Sequence, residues 1–148
     1  MNSANTINYE LRPCKFVERR MLMSSLSRIV GYFCQPYQYV GFGGLAFTDF
    51  KLFHKELNID KLYSIEKMYS DEKLEFNKPF SQINILHTDS TSAINNMLDL
   101  TKPSIIWLDY DNRLEKFMFQ DLEICLNRLP KGSVYIFSCN SLLKDDNN

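Results

Sequence analysis

Short apolar runs alternate with helix-like segments along most of this chain, and this alternation restricts the fold more than any other feature of the sequence. The five runs are "YQYVGF", "KLYSIE", "QINILH", "SIIWLD" and "SVYIFSC". Since no hairpin turn joins consecutive runs, the strands are predicted to be parallel and connected by helices. Right-handed crossovers then place helices on both faces. The sequence therefore predicts a doubly wound, mostly parallel α/β sheet of the Rossmann type.

The helical segments are predicted from apolar residues at three- and four-residue spacing. The first is a long amphipathic helix from Cys14 to Phe33, preceded by Pro13, which suits a first helical turn. The others are predicted over 45–57, 70–76, 91–100 and 114–129. With 148 residues, the chain has the length of one domain. We predict a single cofactor-binding domain over 12–140, a flexible N-terminus over 1–11 and a polar tail over 141–148.

Composition excludes several classes of protein. The net charge of −1 gives no electrostatic basis for nucleic-acid binding over the whole molecule. No apolar run approaches the roughly 20 residues that cross a bilayer, and the N-terminus does not look like a signal peptide. We therefore expect a cytoplasmic protein without membrane contact.

The four cysteines are widely spaced, and with only two histidines they form no zinc-binding pattern. The sequence predicts no metal site. Buried free thiols in a reducing compartment are the expected state of these cysteines. They are Cys14, Cys34, Cys125 and Cys139.

A glycine-rich turn follows the first predicted strand. Three of the chain's five glycines lie at positions 41, 43 and 44, and Gly41 to Ala46 matches the pattern G-x-G-x-x-A. The first glycine permits a tight turn, the second removes a Cβ that would block a ligand, and Ala46 allows close helix packing. This arrangement favours a nucleotide-like ligand, although glycines also ease a simple strand-to-helix turn.

Polar side chains stand at the ends of the neighbouring strands. Glu66 ends the second strand twenty residues after Ala46, where a carboxylate can accept hydrogen bonds from ribose hydroxyls. The alternative is a solvated glutamate. Asp89 and Ser90 follow the third strand, where a carboxylate can accept from an adenine amine, and "DYDN" (109–112) follows the fourth. Together with the glycine turn, these residues predict an adenosine-containing ligand.

Four segments carry a resemblance to a known enzyme class: "VGFGG", "SIEK", "HTDS" and "LDYD". Over about residues 12–140 the chain resembles class I S-adenosylmethionine-dependent methyltransferases. The segments "LRPCKFVERRML", "YVGFGGLAFTDFKLFHKEL" and "IIWLDYD" are similar to a group of bacterial O-methyltransferases. The resemblance implies S-adenosylmethionine as cofactor and leaves the methyl acceptor unknown.

The resemblance also implies roles for individual residues. The three glycines would line the methionine part of the cofactor, Glu66 the ribose, and the two residues after strand three the adenine. Asp109 and Tyr110 would lie near the positive sulfonium. Asp109 or Asp111 is the expected base for a hydroxyl acceptor, although Asp111 also suits a helix N-cap region. The expected cofactor-binding residues are Gly41, Gly43, Gly44, Glu66, Asp89, Ser90, Asp109 and Tyr110.

The chain departs from that class in two ways. Tyr39 stands two positions before the first glycine, where an acidic residue near the cofactor's amino group is usual. The usual core also has seven strands and closes with an antiparallel pair, whereas five are predicted here. We therefore expect either the N-terminal portion of a longer methyltransferase or a sheet completed by a partner.

The same sequence features fit two other functions. An NAD-dependent oxidoreductase shares the glycine pattern and the acidic strand end, but it has less use for Asp89 and "LDYD". A non-catalytic Rossmann-like binding or assembly module is a third reading. A basic cluster in the first helix suits a phosphate-bearing substrate such as a nucleic acid, or simply a solvated helix face. Its members are Arg12, Lys15, Arg19 and Arg20.

The last predicted strand generates the first testable prediction. "SVYIFSC" is apolar, and an unpaired apolar edge strand pairs readily with another chain. We expect this chain, expressed alone, to form homo-oligomers or to aggregate. Light scattering at several protein concentrations measures this, and a stable monomer throughout would contradict it.

Overall fold

The computed structural model describes residues 13–141, in which five strands form one sheet. The strands are β1 (Gln38–Phe42), β2 (Lys61–Ile65), β3 (Ile83–Leu86), β4 (Ser104–Arg113) and β5 (Val134–Asn140). The helices are α1 (Pro13–Phe33), α2 (Thr48–Leu57), α3 (Asp71–Asn77), α4 (Ser90–Ser92) and α5 (Lys116–Arg128), and a π-helical turn (Ala93–Met97) continues α4. All neighbouring strands pair in parallel. The predicted doubly wound α/β fold is confirmed.

Successive residues of β1 enter two different apolar cores, because side chains alternate across a strand. Tyr39 packs with α1 and α2, where Phe50 and Phe53 are fully buried. Val40 packs on the opposite face with the π-helical turn and α5, around Ile94. Burying a side chain of this size contributes about 1.5–3 kcal/mol. Continuous apolar strands therefore suit a sheet that is covered on both faces.

The strand order β3-β2-β1-β4-β5 places the reversal of the chain between β1 and β4. The chain moves outward from β1 through β2 to β3, then returns to the other side of β1. The crossovers on either side therefore diverge at the carboxyl ends of β1 and β4. Ligands of open α/β sheets bind in the crevice that this divergence leaves.

Three predicted boundaries are wrong. The second helix begins at Thr48 rather than at Leu45, because Gly44 and Phe47 adopt left-handed backbone conformations before it. The helix predicted over 91–100 is one α turn followed by a π turn that ends at Met97, where the N–H of Leu98 donates to Ala93. The last helix begins at Lys116, two residues later than expected.

Strand β4 is longer than predicted and runs through "DYDN" to Arg113. Its extension pairs with β5, since Asp109 is opposite Ser138 and Arg113 is opposite Asn140, with an irregularity between these pairs. Asp109 to Asn112 therefore belong to the strand rather than to a loop beyond it. This pairing holds the polar end of β4 in a defined direction.

Several further expectations concern surface and termini. Cys125 is buried, but Cys14 and Cys34 are exposed, so the expected burial of all four free thiols is wrong. None of the helices in residues 13–141 is long and apolar enough to cross a membrane. The predicted flexible N-terminus and all but the first residue of the predicted tail lie outside the described residues. The division into one domain and two ends stays a prediction.

Packing within the protein explains two of the three glycines in the turn. A Cβ on Gly41 would lie 2.5 Å from the Tyr39 hydroxyl and 3.0 Å from the Trp107 carbonyl oxygen. A Cβ on Gly43 would collide with the Ser64 hydroxyl and lie 2.9 Å from the Phe47 ring. Gly44 instead has a φ of 54° with open space around it. The turn therefore approaches β2 and its own helix as closely as backbone allows.

This packing predicts opposite effects for two glycine-to-alanine substitutions. We expect Gly43→Ala to lower the free energy of unfolding by about 1–3 kcal/mol, because the new methyl group overpacks the turn. Gly31→Ala is the matched control, since Gly31 lies in α1 with nothing near its missing Cβ. It should raise the free energy of unfolding by about 0.5 kcal/mol. Urea unfolding measures both, and equal stability of the two variants would contradict the packing argument.

Candidate functional site

A cavity of about 590 Å³ lies at the carboxyl ends of the central strands. Its walls come from the glycine turn, the ends of β2 and β4, the start of α4 and one side chain of α1. The lining residues are Arg19, Phe42, Gly43, Gly44, Leu45, Ala46, Thr48, Asp49, Ile65, Glu66, Lys67, Met68, Tyr69, Thr88, Asp89, Ser90, Asp109, Tyr110, Asp111, Asn112 and Phe117. This volume is within the range of small-molecule and cofactor sites.

The structure brings nearly all of the predicted site residues together in this cavity. The exception is Gly41, which does not line it and whose close neighbours are Tyr39 and Trp107. Gly43 does line it, but the position of its missing Cβ faces Ser64 and Phe47 rather than open space. Ala46 is exposed in the loop, so its expected role in close helix packing is wrong.

Glu66 organises the turn that follows β2. Its Oε1 atom accepts hydrogen bonds from the backbone N–H groups of Lys67 and Met68, both at 2.8 Å. These bonds fix the carboxylate at the cavity wall, and they use only one of its two oxygens.

Asp89 is the N-cap of α4, a role that the sequence analysis did not assign. Its Oδ1 accepts from the Ser92 N–H at 2.8 Å, and its Oδ2 accepts from the Ser92 hydroxyl at 3.0 Å. The backbone hydrogen bond from Ser92 is the main reason that the pKa of Asp89 lies below its usual range. Asp89 is thus an exposed, ionised carboxylate at the edge of the cavity.

Ser90 and Tyr110 turn toward a buried carboxylate, Asp121, on α5. The Tyr110 hydroxyl donates to Asp121 at 2.7 Å, and the hydroxyls of Ser90 and Thr91 donate to it at 2.5 Å. Burial, followed by the bond to Asp121, raises the pKa of the Tyr110 hydroxyl far above its usual value. Asp121 of α5 therefore positions two cavity residues, Ser90 of α4 and Tyr110 of β4.

Sequence reasoning missed Asp121. The available signal was a carboxylate within an amphipathic helix, one position before Leu122 and four before Cys125, on the side of the helix that is buried. Such a residue needs hydroxyl or basic partners, because an unpaired buried charge is costly. Those partners belong to β4 and α4, which lie next to α5 only in the folded structure.

Asp109 is held from both sides. Lys15 of α1 donates to its Oδ2 at 3.1 Å, and the Ser138 hydroxyl of β5 donates to its Oδ1. Lys15 also pairs with Glu18 at 3.0 Å. Burial lowers the pKa of Lys15, but the hydrogen bonds to Glu18 and Asp109 outweigh this effect and raise it. The Asp109 carboxylate is therefore fixed in direction and close to a positive charge.

Arg19 and Asp49 form a second ion pair between α1 and the start of α2. The Arg19 Nε donates to Asp49 Oδ1, and Nη2 lies 3.5 Å from Oδ2. The two side chains are only 11% and 18% exposed. Burial raises the pKa of Asp49, and the hydrogen bond from Arg19 opposes this shift. Both residues line the cavity beside the glycine turn.

The members of the predicted basic cluster of the first helix do not share one surface. Arg12 lies outside the described residues. Lys15 and Arg19 make ion pairs at the carboxyl edge of the sheet, whereas Arg20 is exposed and lies over the Phe16 ring at 5.5 Å. Two of these cations therefore face the sheet rather than solvent. Nucleic-acid binding stays a prediction.

The cavity is acidic and partly aromatic. Five carboxylates and two cations, Arg19 and Lys67, line it. Tyr110 makes edge contacts with Phe42 at 5.2 Å and with Phe117 at 5.6 Å, between ring centroids. Carboxylates and aromatic faces both stabilise a positively charged ligand atom. Among residues 13–141, no group of three or more His, Cys, Asp or Glu side chains is arranged to hold a metal ion.

Comparison with known families shows to which protein family the chain belongs. The family model described as "Putative O-methyltransferase" matches residues 7–148, which is nearly the whole chain. The chain belongs to this O-methyltransferase family. No curated protein gives a significant match. Membership confirms the methyltransferase resemblance of the sequence and accounts for the Rossmann-like sheet of this family member.

The Asp121 network predicts a large effect from a small change in this O-methyltransferase family member. We expect Asp121→Asn to lower the free energy of unfolding by about 2–3 kcal/mol, because three buried or half-buried hydroxyls lose a charged acceptor. Glu123→Gln is the matched control, since Glu123 is exposed on the same helix. Its effect should stay within about 0.5 kcal/mol. Denaturant unfolding compares the two, and similar losses would show that the network does not stabilise the fold.

Proposed function

We propose that this protein transfers a methyl group from S-adenosylmethionine to an oxygen acceptor. The observation that carries the proposal is the meeting of the glycine turn, Glu66, Asp89 and Asp109 around one cavity at the carboxyl edge of a parallel sheet. Family membership supports methyl transfer to oxygen. The acidic lining suits a ligand whose sulfur is positively charged.

The spacing of the strands supports the orientation of the cofactor. Adjacent strands lie about 4.8 Å apart, and the order β3-β2-β1 places Asp89, Glu66 and the glycine turn in sequence along one edge. In this proposal Asp89 holds the adenine, Glu66 the ribose, and Gly43 and Gly44 the amino-acid part.

Catalysis by these residues would consist mainly of positioning. When bound, S-adenosylmethionine supplies an electrophilic methyl group on a positive sulfur. Tyr110 and Phe117 would border that sulfur, and Asp109 or Asp111 would accept the proton of the acceptor hydroxyl as its oxygen becomes nucleophilic. Lys15 and Ser138 hold Asp109 in one direction. We expect this reaction to take place in the cytoplasm.

Calorimetric titration tests the cofactor. We expect binding of S-adenosylmethionine and of its demethylated product, S-adenosylhomocysteine, with no comparable binding of NAD. Glu66→Gln should weaken S-adenosylhomocysteine binding about 10-fold, because one charge-assisted hydrogen bond is worth about 1.5–3 kcal/mol. Glu72→Gln, on the exposed face of α3, makes the same chemical change outside the cavity and should have no effect.

Two outcomes would contradict the proposal. Tight binding of NAD alone would assign the glycine turn to an oxidoreductase. Failure to bind any of the three compounds, by a protein that unfolds cooperatively, would favour a non-catalytic binding module. An equal loss of affinity in Glu66→Gln and Glu72→Gln would show that Glu66 does not contact the cofactor.

A further inference from the structure

The Arg19–Asp49 ion pair is placed unusually for a surface helix contact. It is more buried than the neighbouring Lys15–Asp109 pair, whose side chains are 23% and 37% exposed. Withdrawing two charges from water carries a desolvation penalty, which the attraction between them offsets only in part. The pair nevertheless opens onto the cavity rather than into an apolar core. Its position therefore gives it access to a ligand.

The pair lies at the end of the cavity that is next to the glycine turn. Asp49 lies in the first turn of α2, directly after the glycine turn that follows β1, and Arg19 reaches the same place from α1. Glu66 and Asp89 follow β2 and β3, one and two strands away. A ligand whose adenosine lies along β3 and β2 would therefore present its far end to Arg19 and Asp49.

The hydrogen-bonding capacity of the pair is not used up. Arg19 contacts Asp49 through Nε and Nη2, and a guanidinium has five N–H donors on three nitrogens. The Asp49 carboxylate can accept about four hydrogen bonds. The Arg19–Asp49 pair has no net charge, and it is complementary to a ligand group that carries one positive and one negative charge. Binding such a group brings no net charge into the cavity.

We propose that Arg19 and Asp49 together bind the zwitterionic amino-acid end of the cofactor, with Arg19 donating to its α-carboxylate and Asp49 accepting from its α-ammonium. This inference rests on the proposed function. It names the side chains that recognise the two charged groups of the amino-acid end, which glycines have no side chains to bind. Position 39 offers no carboxylate for the ammonium. Tyr39 is buried and stacks on Phe53 at 3.8 Å between ring centroids, whereas Asp49 provides a carboxylate at the cavity wall.

The test compares ligands that differ only at that end. S-adenosylhomocysteine carries both groups, whereas 5′-methylthioadenosine lacks both, and calorimetry gives the affinity of each. We expect the wild-type protein to prefer S-adenosylhomocysteine by roughly 10- to 100-fold, the range of one or two charge-assisted hydrogen bonds. Arg19→Gln and Asp49→Asn should each lose about 10-fold or more for S-adenosylhomocysteine and stay within about two-fold for 5′-methylthioadenosine.

Two further comparisons sharpen the assignment. Decarboxylated S-adenosylmethionine keeps the ammonium and lacks the carboxylate, so Arg19→Gln should bind it as well as the wild-type protein does. Arg20→Gln is the matched control, because Arg20 is the next residue of the same helix and lies over Phe16, outside the cavity. It should bind every ligand like the wild-type protein.

A purely structural role for the pair gives a different result. Both single variants would then weaken 5′-methylthioadenosine as much as S-adenosylhomocysteine, or leave both unchanged, and either outcome overturns the inference. Should a single variant unfold, Arg19→Met with Asp49→Leu removes both charges without leaving one unpaired. That double variant should keep 5′-methylthioadenosine binding and lose the preference for S-adenosylhomocysteine.

The wild-type measurements separate this inference from the proposed function. If the wild-type protein binds neither compound, the proposed function itself fails. If it binds both with equal affinity, the adenosine site stands and the zwitterion site is wrong.

Discussion

The carboxyl ends of parallel strands all emerge at one edge of a sheet, and the rest of this structure depends on that constraint. The order β3-β2-β1-β4-β5 makes the chain reverse between β1 and β4, so the helices that follow these strands leave a crevice between them. Residues distant in sequence meet there because each one follows a strand. Glu66, Asp89 and Asp109 are separated by about twenty residues each, yet they line one cavity.

The long N-terminal helix forms part of this cavity through its charges. Lys15 and Arg19 lie four residues apart, which places them on one face of α1, and they pair with Asp109 and Asp49 respectively. One partner belongs to β4 and the other to α2, so the helix bridges two segments on either side of the crevice. A helix attached only by apolar contacts would leave both carboxylates without a cation beside them. The two ion pairs thus close one wall and moderate its negative charge.

Much of the site could be predicted from strand ends, but the role of each side chain could not. The carboxylate at Asp89 was predicted to hold an adenine, and in the structure both of its oxygens also cap α4 through Ser92. Ser90 was assigned to the same ligand, whereas its hydroxyl is bonded to Asp121 of α5. Gly43 matches the expected fingerprint, but Ser64 and Phe47 explain the absence of its Cβ. The contacts of Ser90 with Asp121 and of Gly43 with Ser64 join segments more than twenty residues apart, so local patterns do not encode them.

The sequence by itself determined the parallel α/β fold, the position of the glycine turn and the polar strand ends, because alternating apolar runs and crossover helices leave few other ways to bury this chain. Only the tertiary structure decided that Arg19 and Asp49 meet, that Asp121 gathers three hydroxyls, and that β4 continues through "DYDN". Periodicity reports which face of an element is apolar. Which charges pair across elements depends on how helices lie on the sheet, and that is set by packing over the whole domain.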